Sequence, residues 1–300
     1  MRYAYAITSA LLLGGTAATL ALQTPGGAQT AQNEPGSMVA MSAPRAGAPM
    51  SFADLAARLQ PAVVNISTTQ RVQVNSNPFA GTPFGDLFGG GDVNGGRPVT
   101  REAQSLGSGF IISPDGYIVT NNHVISGGEG PGAAVVSSIK VIMPDRTEYD
   151  AKLIGRDPTS DLAVLKINAT NLPFVRFGDS TKTRVGDWVV AIGNPFGLGG
   201  TVTAGIVSAD GRKIGGPYTD FLQIDAPINR GNSGGPTFDL KGRVIGVNSA
   251  IFSPSGGNVG IGFAIPATTA ARVVSQLMKD GRVARGWLGV SVQDVNKDIA

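Results

Sequence analysis

Ser233 stands in the run Gly231-Asn232-Ser233-Gly234-Gly235-Pro236. A nucleophilic serine needs an exposed hydroxyl, and flanking glycines remove the side chains that would block a substrate carbonyl. Glycine also lets consecutive backbone N–H groups point into one cavity, where they hold the negative oxygen of a tetrahedral intermediate. The Gly231-Asn232-Ser233 backbone is therefore the candidate oxyanion hole, with the amides of Gly231 and Ser233 as donors. A serine alone is a weak nucleophile and needs a base. The only imidazole is His123, in Val119-Thr120-Asn121-Asn122-His123-Val124-Ile125 at the end of a β-like segment. An acid that orients it is best sought between the two. Asp161 opens the apolar run Leu162 to Ile167 and so sits at the mouth of a buried strand, while Asp145, Asp150 and Asp157 compete on spacing alone.

Composition excludes most other chemistry. The 300 residues contain no cysteine and one histidine. That removes disulfides, thiolate nucleophiles, Cys-based zinc sites and any site built on two imidazoles, and no metal or organic cofactor is implied. Hydrophobic residues make up 42% and charged ones 15%, so most of the chain is expected to be globular. The formal charge is only +3 and no dense Lys/Arg run occurs, so no nucleic-acid partner is expected.

The elements that must position these residues are mostly short strands. After a helix at Ser51–Leu59, with Ser51 as its N-cap and Pro61 stopping it, the segment Ala62–Ile66 reads as a strand. From Leu106 onward, Val- and Ile-rich runs recur, separated by Asp-Gly, Gly-Asp, Asn-Pro and Gly-Gly turn signals. They are Gly109–Ile112, Tyr117–Thr120, Ile139–Met143, Tyr149–Ile154, Leu162–Ile167, Trp188–Ile192, Val202–Val207, Phe221–Ile224, Val244–Ser249 and Ile261–Ile265. This spacing predicts an all-β barrel or sandwich. One amphipathic helix, Ala267–Lys279, closes the series with Gly281 beyond its end. The 43 glycines follow from that many tight turns.

The N-terminus reads as an export signal over residues 1–28. Arg2 precedes an apolar stretch reaching Leu22, then Thr24-Pro25-Gly26-Gly27-Ala28 supplies small residues for cleavage near Ala28. The stretch from Ala4 to Leu22 is also 19 residues long, enough for an uncleaved inner-membrane anchor. Residues 29–50 are expected to be a disordered leader, and residues 73–103 a long loop carrying Phe79, Phe84 and Phe88.

The order His123, Asp161, Ser233 is that of the chymotrypsin-type triad. With GSGFIIS at 107–113, DGYIVTNNHVI at 115–125, DPTSDLAVLKI at 157–167, the run at 185–209 and GNSGGP at 231–236, the chain resembles the HtrA/Deg family of envelope trypsin-like serine proteases over about 250 residues. The resemblance implies a chymotrypsin-like double β-barrel over residues 51–281, with His123 and Asp161 on the first barrel and Ser233 on the second. It implies an ATP-independent periplasmic endopeptidase acting on unfolded or misfolded proteins, a homotrimer or a higher multiple of three, and activity switched by loop ordering. It also implies that Ile228, Ile251 and Phe252 line the pocket for the residue before the scissile bond, and that Arg212 lies in a regulatory loop at Asp210–Thr219. Val283-Ala284-Arg285-Gly286-Trp287-Leu288-Gly289-Val290 resembles the start of a PDZ domain, a module that binds peptide C-termini by strand addition. Only 15 residues remain from Gly286, so residues 282–300 are expected to be a truncated piece of it. Three departures from the family pattern are Pro227 before the oxyanion loop, a Gly/Ala-rich insertion at Ser126–Ser138, and Thr237 after Gly-Gly-Pro, where an aliphatic is common. Two other functions fit the same residues: a chaperone-like binding protein with latent protease activity, and a membrane-anchored protease that cuts one signalling partner.

Overall fold

A computed structural model describes residues 51–74, 99–126, 135–194, 200–214, 220–254, 257–286 and 289. The expected export signal and leader at 1–50, the three loop phenylalanines, and Trp287 in the segment expected to open a PDZ domain from 282 lie outside the described residues.

Among the described residues, twelve strands form two closed six-stranded antiparallel barrels. The first contains β1 (Val63–Val74), β2 (Val99–Ile111), β3 (Tyr117–Thr120), β4 (Val135–Ile142), β5 (Glu148–Asp157) and β6 (Leu162–Ile167), closed in the order β1-β2-β3-β6-β5-β4. The second contains β7 (Trp188–Gly193), β8 (Thr201–Arg212), β9 (Phe221–Ile224), β10 (Pro236–Phe238), β11 (Val244–Ile251) and β12 (Gly262–Pro266), in the order β10-β11-β12-β9-β8-β7.

Alternation along the strands sorts the apolar residues into three layers. On β6, Ala163, Leu165 and Ile167 fill the first barrel with Val64, Ile66 and Ile118, while Leu162 and Val164 face the second barrel. On β7, Val189 and Ala191 fill the second barrel, while Val190 and Ile192 face the first. A strand buried on both faces reads as a continuous apolar run, which is why these two segments show no polar alternation. The layer between the barrels also takes Phe110, Phe238 and Val244, and Phe110 meets Phe177 edge-on at 5.7 Å between ring centroids.

Helices close the ends. Helix α1 (Ala53–Leu59) starts one residue later than the Ser51 cap implies. Phe52 holds the cap position without a side-chain bond, and Ser51 Oγ accepts from the Ala53 N–H at 3.1 Å. Phe52 then packs against Trp188 with the rings tilted by 58° and their centroids 5.7 Å apart. A single helical turn, α2, spans Asn122–Ile125. Helix α3 (Ala267–Asp280) buries Ala270, Val273, Val274 and Leu277 and ends at Gly281, whose N–H caps Leu277 O at 3.0 Å.

Strand bounds differ from the sequence pattern at several places, most at β10 and along β1 and β2. β10 is only three residues long and fully buried, so it carries no alternation to detect. β1 and β2 run on as a paired arm from Val63↔Phe110 to Val74↔Val99, into what the composition marks as loop. Backbone pairing continues there through Arg71, Gln73, Thr100 and Arg101, none of which a hydrophobic pattern would detect.

Candidate active site

Two neighbouring strand ends bring the imidazole and its acid together. β3 and β6 pair antiparallel with Thr120 opposite Ala163, so the residues just after Thr120 and just before Leu162 leave the barrel at the same end. The turn of α2 then presents His123, and Asp161 precedes β6. Asp161 has φ of +55°, a left-handed conformation that costs a non-glycine residue about 1 kcal/mol or more and persists where surrounding bonds impose it. Those bonds are present. Asp161 O accepts from Asn121 Nδ2 at 2.8 Å and from the Asn122 N–H at 3.1 Å.

The Asp161 carboxylate grips the histidine from two sides. Oδ2 lies 2.8 Å from His123 Nδ1, and Oδ1 accepts from the His123 backbone N–H at 2.9 Å. A carboxylate only accepts, so Nδ1 carries the proton and Nε2 is left with its lone pair. Ser249, at the end of β11, completes the group. Its hydroxyl donates to Asp161 Oδ2 at 2.8 Å, and its carbonyl accepts from Ser233 Oγ at 3.4 Å. Ser249 thus links the His123–Asp161 pair to Ser233 across the seam of the two barrels. The Ser233 hydroxyl bonds to that carbonyl, and among the described residues no hydrogen bond joins it to the imidazole.

The loop before Ser233 is held by its own backbone. The Asn232 N–H donates to Asn229 O at 3.0 Å, and the Gly235 N–H donates to Asn232 O at 3.0 Å. The Asn232 amide is thus spent within the turn. Among the described residues, no acceptor takes the N–H of Gly231 or of Ser233. Gly234 has φ of +85°, and a side chain there would collide with the Ser108 carbonyl and the Thr120 hydroxyl, so glycine is required on both counts.

Beside Ser233 lies a cavity of about 290 Å³ walled by Ile228, Asn229, Ala250 and Ile251. Phe252 is not part of it. Its side chain is exposed at 57%, and Ala250 lines the wall instead. Phe252, placed in the pocket by the resemblance, lies one residue past the end of β11. Arg212 also lies away from the cavity lining. It ends β8 opposite Phe221, and its Nε donates to Gln223 Oε1 at 3.0 Å. Residues 210–212 are thus strand, and 215–219 lie outside the described residues. Pro227 is exposed.

The other acids are otherwise engaged. Asp145 caps the β4–β5 turn, and the Thr147 N–H and hydroxyl hold its carboxyl below the usual range. Asp150 sits on β5 opposite Lys140. Asp157 is buried; burial opposes its charge, but hydrogen bonds from Arg285 and Ser160 and the Arg285 charge outweigh it and hold the carboxyl low. Three polar residues that no motif singles out belong to the site: Ser249, Asn121 and Ser108. Among the described residues, no group of three or more His, Asp or Glu side chains is placed to hold a metal ion.

Comparison with known proteins adds an independent line. The trypsin-like peptidase domain family matches residues 107–247. A Brucella suis protein named "Probable periplasmic serine endoprotease DegP-like" is 54% identical over 288 residues, covering 86% of this chain and 54% of that protein. A protein of the same name from Pseudomonas putida is 50% identical, covering 83% and 53%. The chain spans about half the length of the curated relatives it matches. Among solved structures, the HtrA-type protease AlgW with a decapeptide superposes with a TM-score of 0.68 at 43% identity, covering 83% of this chain and 74% of that one. A serine endoprotease from Yersinia pestis gives 0.59 at 38%, covering 82% and 73%.

Proposed function

This chain belongs to the HtrA-type protease family, and we propose that it is an ATP-independent serine endopeptidase of the bacterial periplasm that degrades unfolded proteins. The observation that carries the reading is the chain of hydrogen bonds from His123 to Asp161, from Asp161 to Ser249 and from Ser249 to Ser233. In the reaction, Ser233 Oγ attacks the scissile carbonyl while His123 Nε2 takes its proton. Asp161 keeps the imidazole in the tautomer that can accept it and stabilises the imidazolium. The amides of Gly231 and Ser233 hold the oxyanion, and Asn232 serves the turn rather than the substrate. His123 then protonates the leaving amine, and water repeats the sequence on the acyl-enzyme.

The cavity between Ile228 and Ile251 suits a small or medium aliphatic side chain before the scissile bond. A trimer built through residues 51–59 and the 73–103 segment, a cleaved export signal at 1–28 and a PDZ module beginning near Gly286 complete the family-based reading. Arg212, at the end of β8, belongs to its regulatory region. The Ser233 hydroxyl resting on the Ser249 carbonyl favours a second reading, a binding protein whose protease activity is latent until a ligand reorients the site. Digestion of casein by wild type and Ser233→Ala tests both. Wild type should digest it and the variant should not. Equal digestion by the two refutes the triad, and digestion by wild type only after addition of a peptide ligand selects the latent form.

A further inference from the structure

Ser108 takes no part in the steps above, yet every polar atom it has is engaged at the seam of the barrels. It lies on β2 and is fully buried. Its N–H donates to Ser233 O at 2.8 Å, and its carbonyl accepts from Thr120 Oγ1 at 2.7 Å. Its hydroxyl donates to Gly231 O at 2.6 Å and accepts from the Asn194 N–H at 2.8 Å. One residue of the first barrel thus touches the nucleophile's own carbonyl, the oxyanion loop, the chain leaving β7 and the strand end that leads to His123.

The bond to Gly231 has a geometric consequence. In a trans peptide the carbonyl and the following N–H point opposite ways. With Gly231 O drawn to Ser108, the Asn232 N–H points the other way and reaches Asn229 O, so that peptide is pinned at both ends. The next peptide has its carbonyl on the Gly235 N–H, which turns the Ser233 N–H outward. Gly231, with φ of +98°, has no side chain to resist rotation. Without the Ser108 bond that peptide keeps only the restraint from the Asn232 N–H to Asn229 O, and a Gly231 carbonyl that swings toward the cleft would set a negative dipole where the oxyanion must form.

We propose that Ser108 is a positioning residue for peptide hydrolysis: its hydroxyl holds the Gly231 carbonyl out of the cleft and so keeps the amides of Gly231 and Ser233 converging on the substrate carbonyl. The bond from Asn194 to the same hydroxyl ties this orientation to the connection between β7 and β8. The inference rests on the serine-protease reading.

The test compares wild type, Ser108→Ala and Ser108→Cys on a fluorogenic peptide with an aliphatic residue before the scissile bond. In Ser108→Ala, kcat should fall between about 10- and 100-fold, the size expected for a misplaced catalytic group. KM should stay within about twofold, and the acid limb of the pH profile should not move, because His123, Asp161 and Ser249 are untouched. A peptide boronic acid, which mimics the tetrahedral state, should lose affinity by the same factor as kcat/KM. Ser108→Cys keeps a weak donor and should recover part of the rate, and no other cysteine is present to oxidise with it. An Ala variant as fast as wild type, a loss confined to KM, or a displaced acid limb overturns the inference. If wild type itself cleaves nothing, the serine-protease reading fails instead. The ¹³C shift of the Gly231 carbonyl then still decides: it moves in Ser108→Ala if the hydroxyl holds that carbonyl and stays if it does not.

Discussion

Arg285 and Asp157 form a bidentate ion pair that joins the segment after α3 to the turn preceding Asp161. Arg285 Nη1 donates to Asp157 Oδ1 at 2.7 Å and Nη2 reaches Oδ2, while the Ser160 hydroxyl and N–H hold Oδ2 at 2.5 and 3.2 Å. The Asp157 side chain is 5% exposed and that of Arg285 27%. Removing one partner of a fully buried pair costs about 3–5 kcal/mol, because the other charge is left unpaired. Here water reaches the arginine and Ser160 remains, so Arg285→Ala should cost about 2–3 kcal/mol, discounted for screening. In a domain of this size that lowers Tm by about 5–10 °C.

The pH dependence gives a second signature. The carboxyl of Asp157 is held low in the folded wild type, so its stabilisation is present above its unfolded value near pH 4 and is lost as pH falls through the lower folded value. In Arg285→Ala the opposing effect of burial is no longer outweighed by the guanidinium, so the charged form is costly at neutral pH and protonation relieves it. The gap between the two proteins should be widest near pH 7 and close toward pH 3. Urea unfolding, with Ser233→Ala in both chains to prevent self-digestion, measures it directly. A gap under about 0.5 kcal/mol at neutral pH, or one that does not change with pH, would refute the pairing as a stabilising contact.

Two further substitutions test other parts of the site. Ile228 packs against Gly262, where a Cβ would lie 2.8 Å from the Ile228 Cδ1. Ile228→Ala should enlarge the cavity by roughly three methylene groups and shift kcat/KM toward larger residues before the scissile bond by about 10-fold or more. A peptide library showing unchanged preference would place the specificity pocket elsewhere. Gly234→Ala forces a side chain into a left-handed backbone and against Ser108 and Thr120, so it should cost more than about 2 kcal/mol and abolish cleavage. Wild-type Tm and activity in that variant would show that the loop can relax.

Much of this architecture was legible because chemistry and pattern agree. The apolar runs at 162–167 and 188–192 locate strands, and burial on both faces explains their lack of alternation. His123 and Ser233 stand out through uniqueness and glycine context. Spacing could not separate Asp161 from Asp157. Both precede β6, and the contacts separate them: the Asp161 carboxylate holds the His123 ring and backbone N–H, while Asp157 pairs with Arg285. Ser108 and Ser249 escape notice because a polar residue inside a strand has no periodic signature, and its role appears only when the barrels meet. Phe252 enters the pocket reading by resemblance alone, and nothing in its local sequence marks the exposed position it takes just past the end of β11. Thr237, unusual where an aliphatic is common, has a partner in Asn248 Oδ1 at 2.5 Å inside the second barrel.

The most direct measurement is intact mass after brief exposure to a fluorophosphonate, which phosphonylates only an activated serine. A working triad with an open oxyanion loop predicts one adduct per chain, mapped by peptide digestion to Ser233. The adduct should be absent in Ser233→Ala and form at least about 10³-fold more slowly in His123→Ala. Labelling of Ser233 at the same rate without His123, or an adduct on another serine, would contradict the assignment of His123, Asp161 and Ser233 as one catalytic unit.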